Sequence, residues 1–357
     1  MLDFQALRDR LPETCPVTHY PALIDTVEQL DEVLTRPLPA LVDFMKKLDG
    51  DIMIIGASGK VGPTLALMAR RAVEAAGVKK RVIGVARSDL SALKARGIET
   101  INCDLLDPDA IRKLPQVENI YYLVGRKFGS SGQEHLTWAT NVMAAQATAR
   151  AFTKSRIAAF STGCVYPVVD LGTGGATEET RPDPVGEYAM SCLGRERMFD
   201  YYAETAGERV VHVRLNYAIE LRYGVLVDIA TRVFHGEPVD VTTGYANGIW
   251  QGDASNQILQ SLGLASAPAS AINITGPEIF SVREVAGAFG RMFGMPALIE
   301  GTENGRGYLN NARKANRLYG NPTVPLGLLM EWVAHWVRLG GATLGKPTHF
   351  ETQNGQY

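Results

Sequence analysis

Ile52-Met53-Ile54-Ile55 runs directly into Gly56-Ala57-Ser58-Gly59-Lys60-Val61-Gly62, and Thr64-Leu65-Ala66-Leu67-Met68-Ala69-Arg70 follows with good helix formers. A short apolar run closed by glycine reads as a buried strand, and glycines at this spacing suit a sharp turn from that strand into a helix. The first allows the turn, the second lets the backbone approach a diphosphate, and the third lets the helix pack closely. The helix N-terminus adds N–H donors and a positive dipole. Gly56, Ser58, Gly59, Lys60, Val61 and Gly62 are therefore expected to seat the diphosphate of a dinucleotide.

The texture after this motif agrees with it. Apolar runs at 81–86, 99–103, 119–124, 157–161 and 210–215 alternate with helical patterns, which implies a parallel sheet covered by helices on both faces. The fold class expected is α/β, a Rossmann doubly wound parallel sheet with a smaller C-terminal substrate-binding lobe. Residues 1–49 are expected to be a helical extension, with helices at 21–34 and 38–48 broken at Arg36-Pro37. Residues 50–219 would be the dinucleotide-binding domain. Residues 220–345 would be mainly the lobe, carrying a helix at 224–235, a strand at 271–274 that returns to the sheet, and two terminal helices; 346–357 would be a tail.

The second run ends Gly84-Val85-Ala86-Arg87-Ser88. An acidic residue that would grip an adenosine ribose is absent at Ala86, and Arg87 can pair with a 2′-phosphate, so NADP is favoured over NAD. Asp104 and Leu105 follow the third run, where Asp104 reads either as an adenine contact or as a helix N-cap. Val124 and Gly125 close the fourth run beside the same site.

Across 357 residues the formal charge is -2, with 36 basic and 38 acidic side chains, which leaves no basic excess for a nucleic acid. The start lacks a basic and apolar leader and no later run is long enough to span a bilayer, so a cytoplasmic protein without a membrane partner is expected. Cys15, Cys103, Cys164 and Cys192 form no CxxC pair and read as reduced thiols, with no metal site.

With these elements in order, residues 51–335 resemble the extended short-chain dehydrogenase/reductases of the NAD-dependent epimerase/dehydratase family. Asn141-Val142 resembles the opening of the family's fourth helix, and Ser161-Thr162-Gly163-Cys164-Val165-Tyr166-Pro167 its strand-end motif. Glu178-Glu179-Thr180-Arg181-Pro182-Asp183-Pro184 leads to Tyr188, and Asn273-Ile274-Thr275-Gly276-Pro277-Glu278 resembles its late signature. The resemblance implies hydride transfer, with the Tyr188 hydroxyl exchanging the proton of the reacting oxygen and Thr162 hydrogen-bonding that oxygen. It also implies that Leu215, Asn216 and Tyr217 wall the nicotinamide pocket, that Arg214 stands beside them or forms a strand-end ion pair, and that the molecule is a homodimer.

Three departures carry information. Tyr188-Ala189-Met190-Ser191-Cys192 has a thiol where the family has the lysine that makes the phenol more acidic. Arg195, Arg126 and Lys127 are candidate replacements, each with an ordinary surface cation as its rival reading. Gly163 and Cys164 replace the acidic pair of the sugar-nucleotide dehydratases; Cys164 is either an acid/base at carbon, as in the family's 3,5-epimerases, or a small packed thiol. Ala246-Asn247-Gly248-Ile249-Trp250-Gln251-Gly252-Asp253 lacks the arginine and histidine that hold a nucleotide diphosphate, which points to a small polyhydroxy substrate. Trp250 would stack on it or belong to the lobe core. His135, with Glu134 in the loop after Gly129-Ser130-Ser131-Gly132, is a substrate contact or an exposed loop residue.

The function expected is an NAD(P)-dependent oxidoreductase or epimerase acting on a secondary alcohol or ketone of a small sugar or sugar acid. A catalytically lapsed dinucleotide-binding regulator, and a cofactor-independent lyase or isomerase on the same fold, are the alternatives.

Overall fold

The computed structural model describes residues 20–127, 132–346, 348–352 and 355, so Cys15 and Gly129-Ser130-Ser131 lie outside the described residues. Seven strands form the central sheet: β1 (Ile52–Ile55), β2 (Val82–Ala86), β3 (Glu99–Asn102), β4 (Asn119–Tyr122), β5 (Arg156–Thr162), β6 (Arg209–Leu215) and β7 (Ser270–Ile274). Their order is β7-β6-β5-β4-β1-β2-β3, and every ladder is parallel. The order reverses between β1 and β4, which opens a crevice at the carboxyl ends of those strands.

Strand β1 shows why both faces are covered. Ile52 and Ile54 enter one hydrophobic core while Met53 and Ile55 enter the opposite one, as the two-residue repeat of a strand requires. The α-helices of seven residues or more among the described residues are α1 (Val27–Leu34), α2 (Pro39–Lys47), α3 (Gly62–Ala76), α4 (Ala144–Ala151), α5 (Gly186–Ala206), α6 (Val225–Phe234), α7 (Gln251–Ser261), α8 (Val282–Phe293), α9 (Arg313–Tyr319) and α10 (Leu326–Arg338). Helices α2, α3 and α7 cover one face through Leu41, Met45, Leu65, Met68, Ile258 and Leu259. Helices α4 and α5 cover the other through Ala145, Ala149, Phe199 and Ala203.

A second core joins α1, α6, α8 and α10, with Trp250 edge-on to Trp332 at 5.3 Å between ring centroids. The break at Arg36-Pro37 lets the N-terminal segment serve both cores: α1 packs in the second and α2 on the sheet. Helix α7 lies in the stretch expected to form the lobe, yet its Ala254, Ile258 and Leu259 pack on the sheet core. Among the described residues, no helix is long and apolar enough to cross a membrane, and no cluster of side chains suits a metal ion.

Candidate active site

The glycine turn is as tight as its spacing predicts. Gly56 has φ +92°, and a Cβ there would lie 2.9 Å from the Val124 nitrogen; a Cβ on Gly62 would lie 2.5 Å from the Ala57 oxygen. Helix α3 starts at Gly62 with no side chain capping it, which leaves its first N–H groups facing the crevice. A cavity of about 240 Å³ continues from Gly56, Ser58 and Gly59 past Arg87, Ser88, Asp104 and Leu105 to Val124 and Gly125. The turn and this cavity fit the diphosphate and adenosine of a dinucleotide.

The Arg87 side chain is 76% exposed, with a guanidinium nitrogen 3.8 Å from Asp104. Ser88 and Ser58 share a 2.7 Å hydrogen bond beside it. Asp104 is not the N-cap of the next helix, because Asp107 accepts from the Asp109 nitrogen in that role. Asp104 instead accepts from the Leu106 nitrogen at 3.0 Å and tightens its own turn.

A second cavity, of about 220 Å³, is lined by Lys60, Lys127, Thr162, Cys164, Tyr188, Asn216 and Tyr217, with Val61 and Leu215 also on its wall. Strand β5 ends at Thr162 and delivers its hydroxyl to the cavity, whose wall it shares with the Tyr188 side chain from the first turn of α5. The same Thr162 oxygen accepts from the Cys164 nitrogen at 3.2 Å, which turns the chain and aims Cys164 inward. Burial, with Cys192 and Cys164 nearby, raises the Tyr188 phenol well above its usual range against the opposing pull of Arg195 and Thr162. Tyr188 is therefore a protonated phenol near neutrality.

Cys192 is buried, and burial pushes its thiol up while Arg195 draws it down. Arg195 is 4% exposed, so its reading as a surface cation is overturned. Its guanidinium donates to the Phe160 carbonyl at 2.6 Å and lies 3.6 Å from Cys192 Sγ. The i,i+3 spacing along α5 makes this possible. Lys127 is also drawn inward: its Nζ donates to the Thr348 carbonyl at 3.0 Å and stands 5.9 Å from the Tyr188 ring centroid. Burial lowers its pKa, while Cys164 and Asp228 pull the other way. Arg126 turns away and donates to Gln133.

Asn141 lies in a π-helical turn, Ala139–Met143, inserted ahead of α4. The extra residue per turn rotates its amide inward, where it accepts from the Arg126 nitrogen at 2.7 Å and donates to Ser191 Oγ at 2.8 Å. Asn141 thus braces the loop after β4 against α5. Asn216 donates to Asn247 and to the Tyr308 carbonyl, and Tyr217 sits at φ +42° on the cavity wall, a backbone conformation that tends to be retained at functional sites.

Other candidates fall outside the cavity. Trp250 is 1% exposed in the second core, so stacking on a substrate is excluded. Arg214 forms a buried pair with Glu196 at 2.8 Å and is the ion-pair former. His135 is exposed on the surface. Cys103, Cys164 and Cys192 are free thiols.

The cavity includes residues that local pattern did not single out. Tyr223 lies on its wall, and Thr348 comes from the C-terminal segment, held by its nitrogen and hydroxyl on Asp228 at 2.8 and 2.5 Å. Lys60 was legible only as part of the glycine motif. Its ammonium donates to the Ala218 carbonyl at 2.6 Å and lies 4.5 Å from the Tyr223 ring centroid.

A parallel sheet that carries a glycine-turn crevice, with a helix-borne tyrosine facing a strand-end threonine, defines a Rossmann-like α/β fold. Residues 52–219 match the model of the NAD dependent epimerase/dehydratase family. Solved structures share the fold. The dTDP-glucose 4,6-dehydratase DesIV of Streptomyces venezuelae, solved with NAD and TYD bound, has a TM-score of 0.68 at 18% identity, covering 81% of this chain and 97% of that one. The UDP-N-acetylglucosamine 4-epimerase of Bacillus cereus has a TM-score of 0.64 at 19% identity, covering 81% and 100%. The UDP-glucuronic acid 4-epimerase of the same organism, solved with NAD, has a TM-score of 0.64 at 18% identity, covering 81% and 98%. No curated protein sequence matches the chain.

Proposed function

We propose that the protein is a nicotinamide-dinucleotide-dependent oxidoreductase or epimerase acting on a secondary alcohol or ketone of a small polyhydroxy compound. The observation that carries this is the pair of hydroxyls, Tyr188 and Thr162, lining one cavity with the Cys164 thiol. A nicotinamide dinucleotide, when bound, supplies hydride exchange at the substrate carbon. The residues of this chain handle the oxygen: Thr162 positions it and the protonated Tyr188 phenol donates to it as negative charge develops. Lys127 and Arg195 take over the electrostatic task of the missing lysine from two sides, and Cys164 is placed to exchange a proton at carbon.

Gly56, Ser58, Gly59, Val61 and Gly62 seat the diphosphate, whereas the Lys60 side chain, expected with them, leaves the turn for the second cavity; residues 50–219 are the dinucleotide-binding part and 220–345 mainly the substrate side. NAD is held by the solved relatives named above, whereas the exposed Arg87 beside Ser88 favours NADP for this chain. The lack of an arginine or histidine in Ala246-Asn247-Gly248-Ile249-Trp250-Gln251-Gly252-Asp253 supports a substrate without a nucleotide handle. We further propose a cytoplasmic homodimer.

The second reading, a dinucleotide-binding regulator without turnover, is favoured by one observation, the buried Cys192 in place of a lysine. Thermal melting with NADP and NAD separates the readings. A ligand at a hundred times its Kd stabilises by about 2.7 kcal/mol, so a rise with NADP that Arg87→Ala removes is expected. Tyr188→Phe should keep the rise and abolish turnover of small sugars followed at the nicotinamide absorbance. No rise with either cofactor would overturn the reading in favour of a cofactor-independent lyase or isomerase. A rise restored only by Cys192→Lys would mark a lapsed enzyme.

A further inference from the structure

Two lysines from separate loops line the second cavity, with no carboxylate among the described residues that share its wall. Lys60 comes from the glycine turn. A carbonyl oxygen and an aromatic face satisfy part of its ammonium without neutralising it. Glu220, the carboxylate whose field reaches it, is already paired with Arg222 at 2.9 Å. Burial accordingly pulls Lys60 down to about 8, as desolvation of a poorly compensated cation should. Lys127, from the loop after β4, is held toward the same space by the Thr348 carbonyl, and burial lowers it although Asp228 and Glu351, outside the cavity wall, pull the other way. Keeping two ammonium groups half out of water is costly, and an anion placed between such groups would offset that cost.

The cavity also limits what the anion can belong to. Its wall brings Lys60, Lys127, Thr162 and Tyr188 into one compartment, so the anion and the reacting oxygen would belong to one molecule. Thr348, fastened to Asp228 and Lys127, forms part of its wall.

We propose that the substrate itself carries a carboxylate or phosphate, received in this cavity by Lys60 and Lys127, with the reacting oxygen at Tyr188 and Thr162. This inference rests on the function proposed above and narrows its substrate class to small acidic polyhydroxy compounds. The shared chemistry is a compact anion on a sugar-sized frame; a carboxylate and a phosphate differ in source and are separated by the probes.

The test uses the full chain saturated with NADP, or with NAD if that gives the larger rise, at constant ionic strength. D-glucuronate, D-glucose 6-phosphate and D-glucose are titrated while melting is followed. The expected result is a further rise of several degrees with glucuronate or glucose 6-phosphate and none with glucose. Lys60→Met and Lys127→Met should each remove that second rise while keeping the first one from the cofactor, and Lys60→Arg should retain much of it. Retention of the cofactor rise shows that each variant is folded. A rise with glucose equal to that with the anions, or no second rise with either anion, overturns the inference while leaving the dinucleotide reading intact. Loss of the cofactor rise itself in Lys60→Met also overturns it, because Lys60 would then serve the dinucleotide diphosphate. Absence of any cofactor rise in the unaltered protein is the separate failure of the functional reading.

Discussion

At the scale of single residues, the site is built from groups whose protonation is set by burial more than by partners. Tyr188, Cys192, Lys60 and Lys127 all move toward their neutral forms, because the cavity withholds water from each of them. Arg195 keeps its charge, since a guanidinium hardly ever deprotonates, and it is the fixed cation of the group. Away from the site, Glu208 follows the same rule with a stability consequence. It is fully buried, neither carboxylate oxygen has a hydrogen-bond partner among the described residues, and burial raises it to about 8. A carboxyl raised above its unfolded value of about 4.5 favours folding while both states are protonated, and that contribution is lost as pH rises from there through 8. The protein should therefore lose about 3 to 4 kcal/mol of this contribution between pH 5 and 8. Urea unfolding of Glu208→Gln should show a flatter pH profile over that window, and an unchanged slope would refute the assignment.

Among the elements, helix α7 shows how one buried side chain joins two parts of the molecule. Asp253, in its first turn, accepts from Thr323 Oγ1 at 2.6 Å, from the Thr323 nitrogen at 2.9 Å and from the Val324 nitrogen at 3.0 Å. Two of those donors are backbone groups of the turn before α10, so the carboxylate fastens the second core to a helix of the sheet. Burial still raises Asp253 to about 6 despite these bonds, because taking a charge out of water costs more than they return. Asp253→Ala leaves buried backbone donors unsatisfied and should cost about 3 kcal/mol in urea unfolding. Less than about 1 kcal/mol would mean that water replaces the carboxylate. Helix α5 carries Tyr188, Cys192 and Arg195 on one face, whereas the π-helical turn before α4 bends inward to supply Asn141. The geometry of the site thus depends on two neighbouring helices whose outer faces remain exposed.

For the whole molecule, those outer faces bear on assembly. Trp138, Met143, Met190 and Tyr201 are exposed large apolar side chains on α5 and on the helical stretch that leads into α4, and grouped apolar exposure of this kind often marks an association surface. Sedimentation should give twice the chain mass, and Met143→Glu should shift the equilibrium toward the single chain without lowering its melting temperature by more than a few degrees. A single chain at micromolar concentration in the unaltered protein would refute the dimer.

The amino-acid order determined the parts of this molecule that depend on neighbours in sequence. The turn from Ile55 through Gly62 was legible because a backbone that bends this sharply admits only residues without a Cβ at Gly56 and Gly62. The strands were legible because both faces of a parallel sheet demand continuous apolar runs, and Tyr188, Thr162 and Cys164 because short motifs carry them. Sequence order did not determine which cation faces Tyr188. Arg195, Arg126 and Lys127 look equally like surface charges in the chain, and packing alone buries the first, turns the second away and draws the third inward. Nor did it place Lys60 opposite Tyr223, Trp250 in a core, or Thr348 on the wall of a cavity formed by residues far earlier in the chain. Those placements arise from contacts across long sequence separations, where no local periodicity records the partner and only the closing of the two cores around one crevice sets the distance.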